Sequence, residues 1–189
     1  MNKELTEYNK KRNFEKTKEP KGQNGLAQKD NLRFVVQYHI ATRAHFDFRL
    51  EYRGVLLSWA VPKGPSFNPL DKRLAVMVED HPLEYRNFEG VIPKGNYGAG
   101  TVMIWDEGYY APLTTFENVQ NSGSIKFVLS GKRLKGGWAL VKVKRTENQK
   151  DNNWLLIKEN DMYAKPDAGI SEYKTSVRSG KTTEEIEKE

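Results

Sequence analysis

The chain's three histidines all fall between residues 39 and 81. His39 closes one apolar run, and His45 and Asp47 sit two residues apart on the next, so in an extended strand they share a face. A tight reversal across residues 40–43 would return His39 beside the other two. Two imidazoles and a carboxylate form the donor set of a metal site with open positions for water and a phosphate oxygen. That set suits Mn²⁺, Zn²⁺ or Fe²⁺ better than Mg²⁺, which prefers an all-oxygen shell. The same residues also read as two surface histidines and an exposed strand carboxylate. Arg49 continues the face of His45 and Asp47, and Gln37 shares the face of His39. Such a polar row is either a solvated sheet surface or the floor of a site for a metal and an anion. Lys63 lies in the Pro- and Gly-bracketed VPKGP, which either holds its ammonium in place or is an ordinary exposed turn. Arg73 opens a further apolar run. His81, in EDHPLEY with Tyr85 four residues on, is a candidate phosphate ligand or proton donor, or a turn histidine paired with Glu79 or Asp80.

These side chains need strands to hold them. Short apolar or alternating runs cover residues 32–39, 44–52, 55–61, 73–79, 101–105, 124–129, 138–143 and 154–158, separated by Gly, Pro, Asn and Asp. In the second run Phe46, Phe48 and Leu50 point one way, and His45, Asp47, Arg49 and Glu51 the other. No sustained 3.6-residue period lies between the runs, which disfavours a doubly wound α/β fold. The reading is all-β: a compact closed or nearly closed antiparallel barrel of about eight strands with minor helices, a sandwich being the alternative.

The 189 residues fit one domain with tails. Residues 1–30 read as a basic arm with a short helix over residues 4–10, residues 31–160 as the barrel, and residues 161–189 as a loose polar tail. With no cysteine, disulfides, thiolate metal sites and a cysteine nucleophile are excluded. No apolar run reaches a membrane span and no signal peptide opens the chain, so the expected location is cytoplasmic. Net charge is +6, and residues 111–160 alone carry nine basic against four acidic side chains. A polyanion partner fits that balance, as does an ordinary basic protein.

Two motifs belong to structure as readily as to function. GVIPKGNYGAG, residues 90–100, lacks the GxxxxGK[ST] pattern and opens no helix, so it is not a P-loop. Its glycines suit tight turns, and Tyr97 packs against or rims the site. In GKRLKGGWALVKVKR, residues 131–145, Lys135, Lys142 and Lys144 either face a DNA backbone or lie on a solvated strand face.

FVVQYHIATRAHFDFRLEYRGVLLSWAVPKGPS, followed by RLAVMVEDHPLEYRNFEGVIPKGNYGAGTVMIWDEG, resembles the 3′-phosphoesterase domain of bacterial DNA ligase D and its stand-alone archaeal and bacterial homologues. The resemblance covers about residues 12–108 and continues more weakly to about residue 158. It implies a compact barrel, a divalent metal, preferably Mn²⁺, and processing of DNA primer–template 3′ ends. A phosphodiesterase step removes a terminal ribonucleoside, and a phosphomonoesterase step then converts the remaining 3′-phosphate to a 3′-OH. It makes His39, His45 and Asp47 the metal ligands and places Arg49, Lys63, Arg73, His81 and Tyr85 in the active site, with Gln37 beside the metal. Arg12 and Glu19 of the arm match positions that support catalysis. Asn13 departs from the family's Arg-Asp-Phe, which here is Arg12-Asn13-Phe14. If the missing carboxylate steers Arg12 or a metal-bound water, one of the two steps is weakened. The resemblance implies a DNA ligase and a repair polymerase as partners, and with no ligase adenylation motif in these residues, sealing would need a separate protein. The competing readings are a nonenzymatic DNA-end-binding module with a structural metal and a small cupin-like oxygenase. The density of Lys, Arg and His favours phosphate over the organic pocket of an oxygenase.

Overall fold

The computed structural model describes residues 5–22, 32–114, 123–144 and 152–189. Eight strands form a closed antiparallel barrel with only minor helices. These are β1 (Arg33–Ile40), β2 (Ala44–Tyr52), β3 (Val55–Val61), β4 (Arg73–Met77), β7 (Gly100–Pro112), β8 (Ser124–Gly131), β9 (Lys135–Lys142) and β10 (Asn153–Lys158). Their order is β1-β2-β3-β4-β10-β9-β8-β7, and β7 pairs back onto β1 to close the ring. Two short strands add to it: β5 (His81–Pro82) pairs with β3, and β6 (Gly90–Ile92) with β7. Helix α1 (Thr6–Lys10) lies within the span expected for a helix in the arm; of that span, residue 4 lies outside the described residues.

The period-two pattern decides what fills the barrel. Phe34 and Val36 of β1, Phe48 and Leu50 of β2, and Trp59 and Val61 of β3 enter one apolar core with Trp105, Phe127, Trp138 and Trp154. Burying each large side chain stabilises the fold by roughly 1.5–3 kcal/mol, before chain entropy is counted. The alternate residues point outward. A second, smaller apolar cluster forms on that outer wall: Leu56 and Val102 of the barrel meet Tyr8 of the arm and Leu83, Tyr85, Phe88 and Ile92. The arm and residues 81–92 are thereby fixed against the outside of β1–β3. The polar row therefore lies on the barrel's outer face, under this second layer.

Two elements differ from the sequence reading. Strand β7 runs for 13 residues, although Asp106-Glu107-Gly108 has turn composition. Gly108 is there for close backbone approach: a Cβ would stand 2.2 Å from the Ser130 carbonyl oxygen of the neighbouring strand. The second difference is the C-terminal segment, which is packed rather than loose. The Tyr173 carbonyl accepts from Trp105 Nε1 at 3.0 Å, and the Val177 amide donates to the Ile104 carbonyl at 3.0 Å. Helix α2 (Thr183–Glu187) carries a Thr182/Glu185 capping box and sends Ile186 into the core. Its apolar residues are single and widely spaced, so no periodicity announces them; they need a barrel to pack on.

Candidate active site

The β1–β2 hairpin register sets His39 opposite His45 and Gln37 opposite Asp47. His39 Nδ1 lies 3.8 Å from Asp47 Oδ2, and His45 Nε2 lies 3.6 Å from Asp47 Oδ1. One donor atom from each residue falls within 4.8 Å of the others. The remaining imidazole nitrogens face backbone carbonyls: His39 Nε2 meets Gly98 O at 2.9 Å and His45 Nδ1 meets Arg43 O at 2.9 Å. Donation to those carbonyls leaves Nδ1 of His39 and Nε2 of His45 with lone pairs turned toward the carboxylate. Two neutral imidazoles and one carboxylate, each oriented by a further contact, fit a divalent transition metal. Gly98 reaches this position at φ +74, a conformation that favours glycine.

Behind the ligands lies a buried polar chain. Arg49 donates from Nη2 to Asp47 Oδ2 at 3.0 Å, from Nε to Gln37 Oε1 at 2.8 Å and from Nη1 to Ser58 Oγ at 2.8 Å. Gln37 in turn donates to the Tyr85 and Phe88 carbonyls, tying residues 85–88 to the barrel wall. The guanidinium also stands over the Tyr85 ring at 4.9 Å. Burial alone would raise the Asp47 carboxyl, but the Arg49 guanidinium beside it outweighs burial and holds it well below the usual carboxylate range. Gln37 therefore supports Arg49 from behind instead of facing the metal donors.

The arm supplies the opposite side. Arg12 donates from Nε to Glu19 Oε1 at 2.8 Å and from Nη1 to the Tyr8 carbonyl at 3.1 Å, and its Nη2 lies 3.1 Å from His81 Nε2. His81 Nδ1 is 2.9 Å from the Glu79 carbonyl, so Nδ1 carries the proton and Nε2 accepts from Arg12. Burial first, then the charges of Arg49 and Arg12, push the His81 pKa well below that of a free histidine. The Tyr85 phenol, at 4.9 Å ring to ring from His81, is raised well above its ordinary value by burial and stays neutral.

The neutral His81 has a consequence for stability. Below about pH 6.5 the unfolded chain takes up a proton that the folded site refuses, so stability is present above that pH and declines below it. Unfolding free energy of the metal-free protein is expected to fall by up to ~1.4 kcal/mol per pH unit from this group. His81→Gln should flatten the profile between about pH 6.5 and 5; an unchanged slope in urea titrations would show that His81 is not the group responsible.

Arg12, Glu19, His39, His45, Asp47, Arg49, His81 and Tyr85 line a single cleft of about 250 Å³, rimmed by Tyr97. The family profile of the DNA ligase D 3′-phosphoesterase domain matches residues 37–142. The chain belongs to that family. Among similar proteins, the Pseudomonas aeruginosa multifunctional non-homologous end joining protein LigD is 48% identical over 162 residues, which is 84% of this chain and 19% of that protein. The Mycobacterium tuberculosis multifunctional non-homologous end joining DNA repair protein LigD is 45% identical over 154 residues, 78% of this chain and 20% of that one. The Mycolicibacterium smegmatis LigD is 40% identical over 163 residues, 83% of this chain and 21% of that protein. The chain thus spans about a fifth of the length of these relatives. No helix among the described residues is long and apolar enough to cross a membrane.

Not every expected phosphoesterase residue enters this cleft. Lys63 and Arg73 line a separate one of about 360 Å³, where Arg73 Nη2 donates to Asp71 Oδ2 at 2.8 Å. Strand β3 ends at Val61, so Lys63 lies on the turn beyond it and the outward row does not extend to it. Asn13 does not steer Arg12: it is exposed, and its Oδ1 accepts from the Glu15 amide at 3.1 Å. Glu19 and Glu79 supply the acids that Arg12 meets. The sequence reading also passed over Ser58, although its register opposite Arg49 follows from alternation with Leu57 and Trp59. Tyr8 and the Gly98 carbonyl had no local signal, because their roles depend on contacts across the fold; Glu79 was read as a partner of His81 and meets it through its carbonyl, while its contact with Arg12 was not foreseen. Lys135 opens β9 and lines a separate cleft; of the basic block, Arg145 lies outside the described residues, as do residues 1–4 and 23–30 of the arm.

Proposed function

We propose that this chain is a metal-dependent phosphoesterase acting on DNA 3′ ends in non-homologous end joining, removing a 3′-terminal ribonucleoside and then the 3′-phosphate. The observation that carries this reading is the single cleft in which the metal-type donors His39, His45 and Asp47 face Arg12, Arg49 and His81. A divalent ion on those donors, with Mn²⁺ as the first choice, would neutralise phosphate charge and act as a Lewis acid. The chain's own groups do the rest. Arg49 spends three of its five N–H donors on Asp47, Gln37 and Ser58, which leaves two for a phosphate oxygen. Their position is preset, so little reorganisation accompanies charge growth on the phosphoryl oxygens. Arg12 approaches the same phosphate from the arm. As it turns to the substrate, His81 Nε2 is released as a proton acceptor for the attacking water, a role that suits a neutral imidazole better than that of acid. Lys63 and Arg73, in their separate cleft, hold another phosphate of the strand. Tyr97, at the rim, covers the terminal nucleoside.

The partners proposed are primer–template DNA ends, with a DNA ligase and a repair polymerase acting on the same break, and the setting proposed is the cytoplasm. The test is a primer–template assay with manganese, using one strand ending in a ribonucleotide and another in a 3′-phosphate. Shortening of the first and dephosphorylation of the second are expected. Tight DNA binding with no change to either strand would overturn the enzyme reading and leave a DNA-end-binding module.

A further inference from the structure

A second cleft, of about 450 Å³, is lined by four cations that the proposed chemistry does not use. Arg33, Arg86, Lys132 and Arg178 line it together with Tyr109 and the acid Glu107. Glu107 serves two of the cations at once, accepting from Lys132 Nζ at 3.1 Å and pairing with Arg178. Arg33 stands over the Tyr109 ring at 5.1 Å and donates to its hydroxyl at 3.3 Å, so its charge meets an aromatic ring and a phenol. Arg86 pairs with Glu51, which does not line the cleft, at 3.3 Å. Four cations against the one lining acid leave the cleft positive, and Tyr109 is 46% exposed beside it. Cations interleaved with an exposed aromatic ring fit a nucleic-acid backbone.

Position ties this cleft to the first. Arg33 and His39 lie on the same outward face of β1, six residues apart, which is about 20 Å along a strand. The two clefts flank one 3₁₀ turn, Leu83–Asn87: Tyr85 lines the metal cleft and the next residue, Arg86, lines the basic one. About 20 Å corresponds to roughly six base pairs of duplex at about 3.4 Å each.

We infer that the Arg33–Arg86–Lys132–Arg178 cleft is a phosphate-backbone docking site for duplex DNA, about six base pairs behind the 3′ end seated at His39, His45 and Asp47. The placement of that 3′ end rests on the function proposed above; the docking surface itself does not depend on hydrolysis.

The test uses hairpin DNAs with stems of about four and about twelve base pairs. Arg33→Gln with Lys132→Gln should weaken binding of the longer stem about tenfold at low salt and reduce the log–log salt slope by about 1.8. The shorter stem should bind as to wild type, and hydrolysis of a 3′-phosphorylated dinucleotide should be unchanged. Glu107→Gln removes the one acid lining the cleft and should tighten binding of the longer stem, a gain that misfolding cannot produce. Unchanged affinity and salt slope in the double variant would overturn the inference, as would no gain from Glu107→Gln. If wild type processes no 3′ ends while the double variant still loses long-stem affinity, the end-processing reading falls and the docking site stands. Normal end processing with long-stem binding insensitive to these changes gives the reverse.

Discussion

Asp47→Ala is expected to remove divalent-metal binding and both hydrolytic steps, with a loss in turnover of at least ~10³-fold. Asp47 is the only anionic member of the donor set, and the two histidines reach one another's neighbourhood through it, at 3.6 and 3.8 Å. Without it two neutral imidazoles remain, a poor site for a hard divalent ion. The carboxylate is held ionised across the working pH range by Arg49, so the site has its charge before the metal arrives. The alanine variant also strips Arg49 of an ion partner, so loss of activity could arise from a disturbed fold. Asp47→Asn separates the two causes: it keeps the shape and a hydrogen-bond acceptor for Arg49 but lacks the charge. Calorimetry with Mn²⁺ should show binding lost in both variants, while the asparagine variant, which keeps the hydrogen bond from Arg49, unfolds at a higher temperature than the alanine variant. Micromolar manganese binding with normal dephosphorylation in either variant would remove Asp47 from the ligand set.

Arg49→Ala should be the most destabilising single substitution in the site, by about 3–5 kcal/mol. The guanidinium is 2% exposed and satisfies three side-chain acceptors on three strands, Gln37 on β1, Asp47 on β2 and Ser58 on β3. Truncation leaves a buried carboxylate facing no cation and frees Gln37, which holds the Tyr85 and Phe88 carbonyls in place. Residues 85–88 should then loosen and Tyr85 withdraw from the cleft. Arg49→Lys should restore little, because one ammonium cannot reach three divergent acceptors as a planar fork does. Urea unfolding measures the stability, and hydrolysis of a 3′-phosphate measures the site. A loss within ~1 kcal/mol of wild type for the alanine variant would show that the network is peripheral to both.

Much of this arrangement is legible in the residues. Alternation in AHFDFRLEY assigns Phe46, Phe48 and Leu50 to the core and the four polar residues to the other face, because a strand repeats every two residues regardless of context. The short hairpin between His39 and His45 follows from the few residues available to reverse the chain. Both signals are local, so they survive without a fold. By contrast, the polar block 106–108 reads as a turn, and only the crowding of Gly108 against β8 shows why glycine sits inside a strand.

By itself, the sequence determined which residues share each face of the strands, the pairing of two histidines with Asp47, and the family. Those features depend on near neighbours or on residue order. Tertiary structure alone decided that the polar row lies outside the barrel beneath the arm, that Arg12 meets His81 and Glu79 from 67 or more residues away, and that Lys63 and Arg73 fall in a separate cleft. It also decided that the C-terminal segment packs on the core through residues as scattered as Tyr173 and Ile186. The physical reason is the same in each case: a single apolar or charged residue has no period of its own, and its partner is chosen by where the closed barrel brings distant segments into contact.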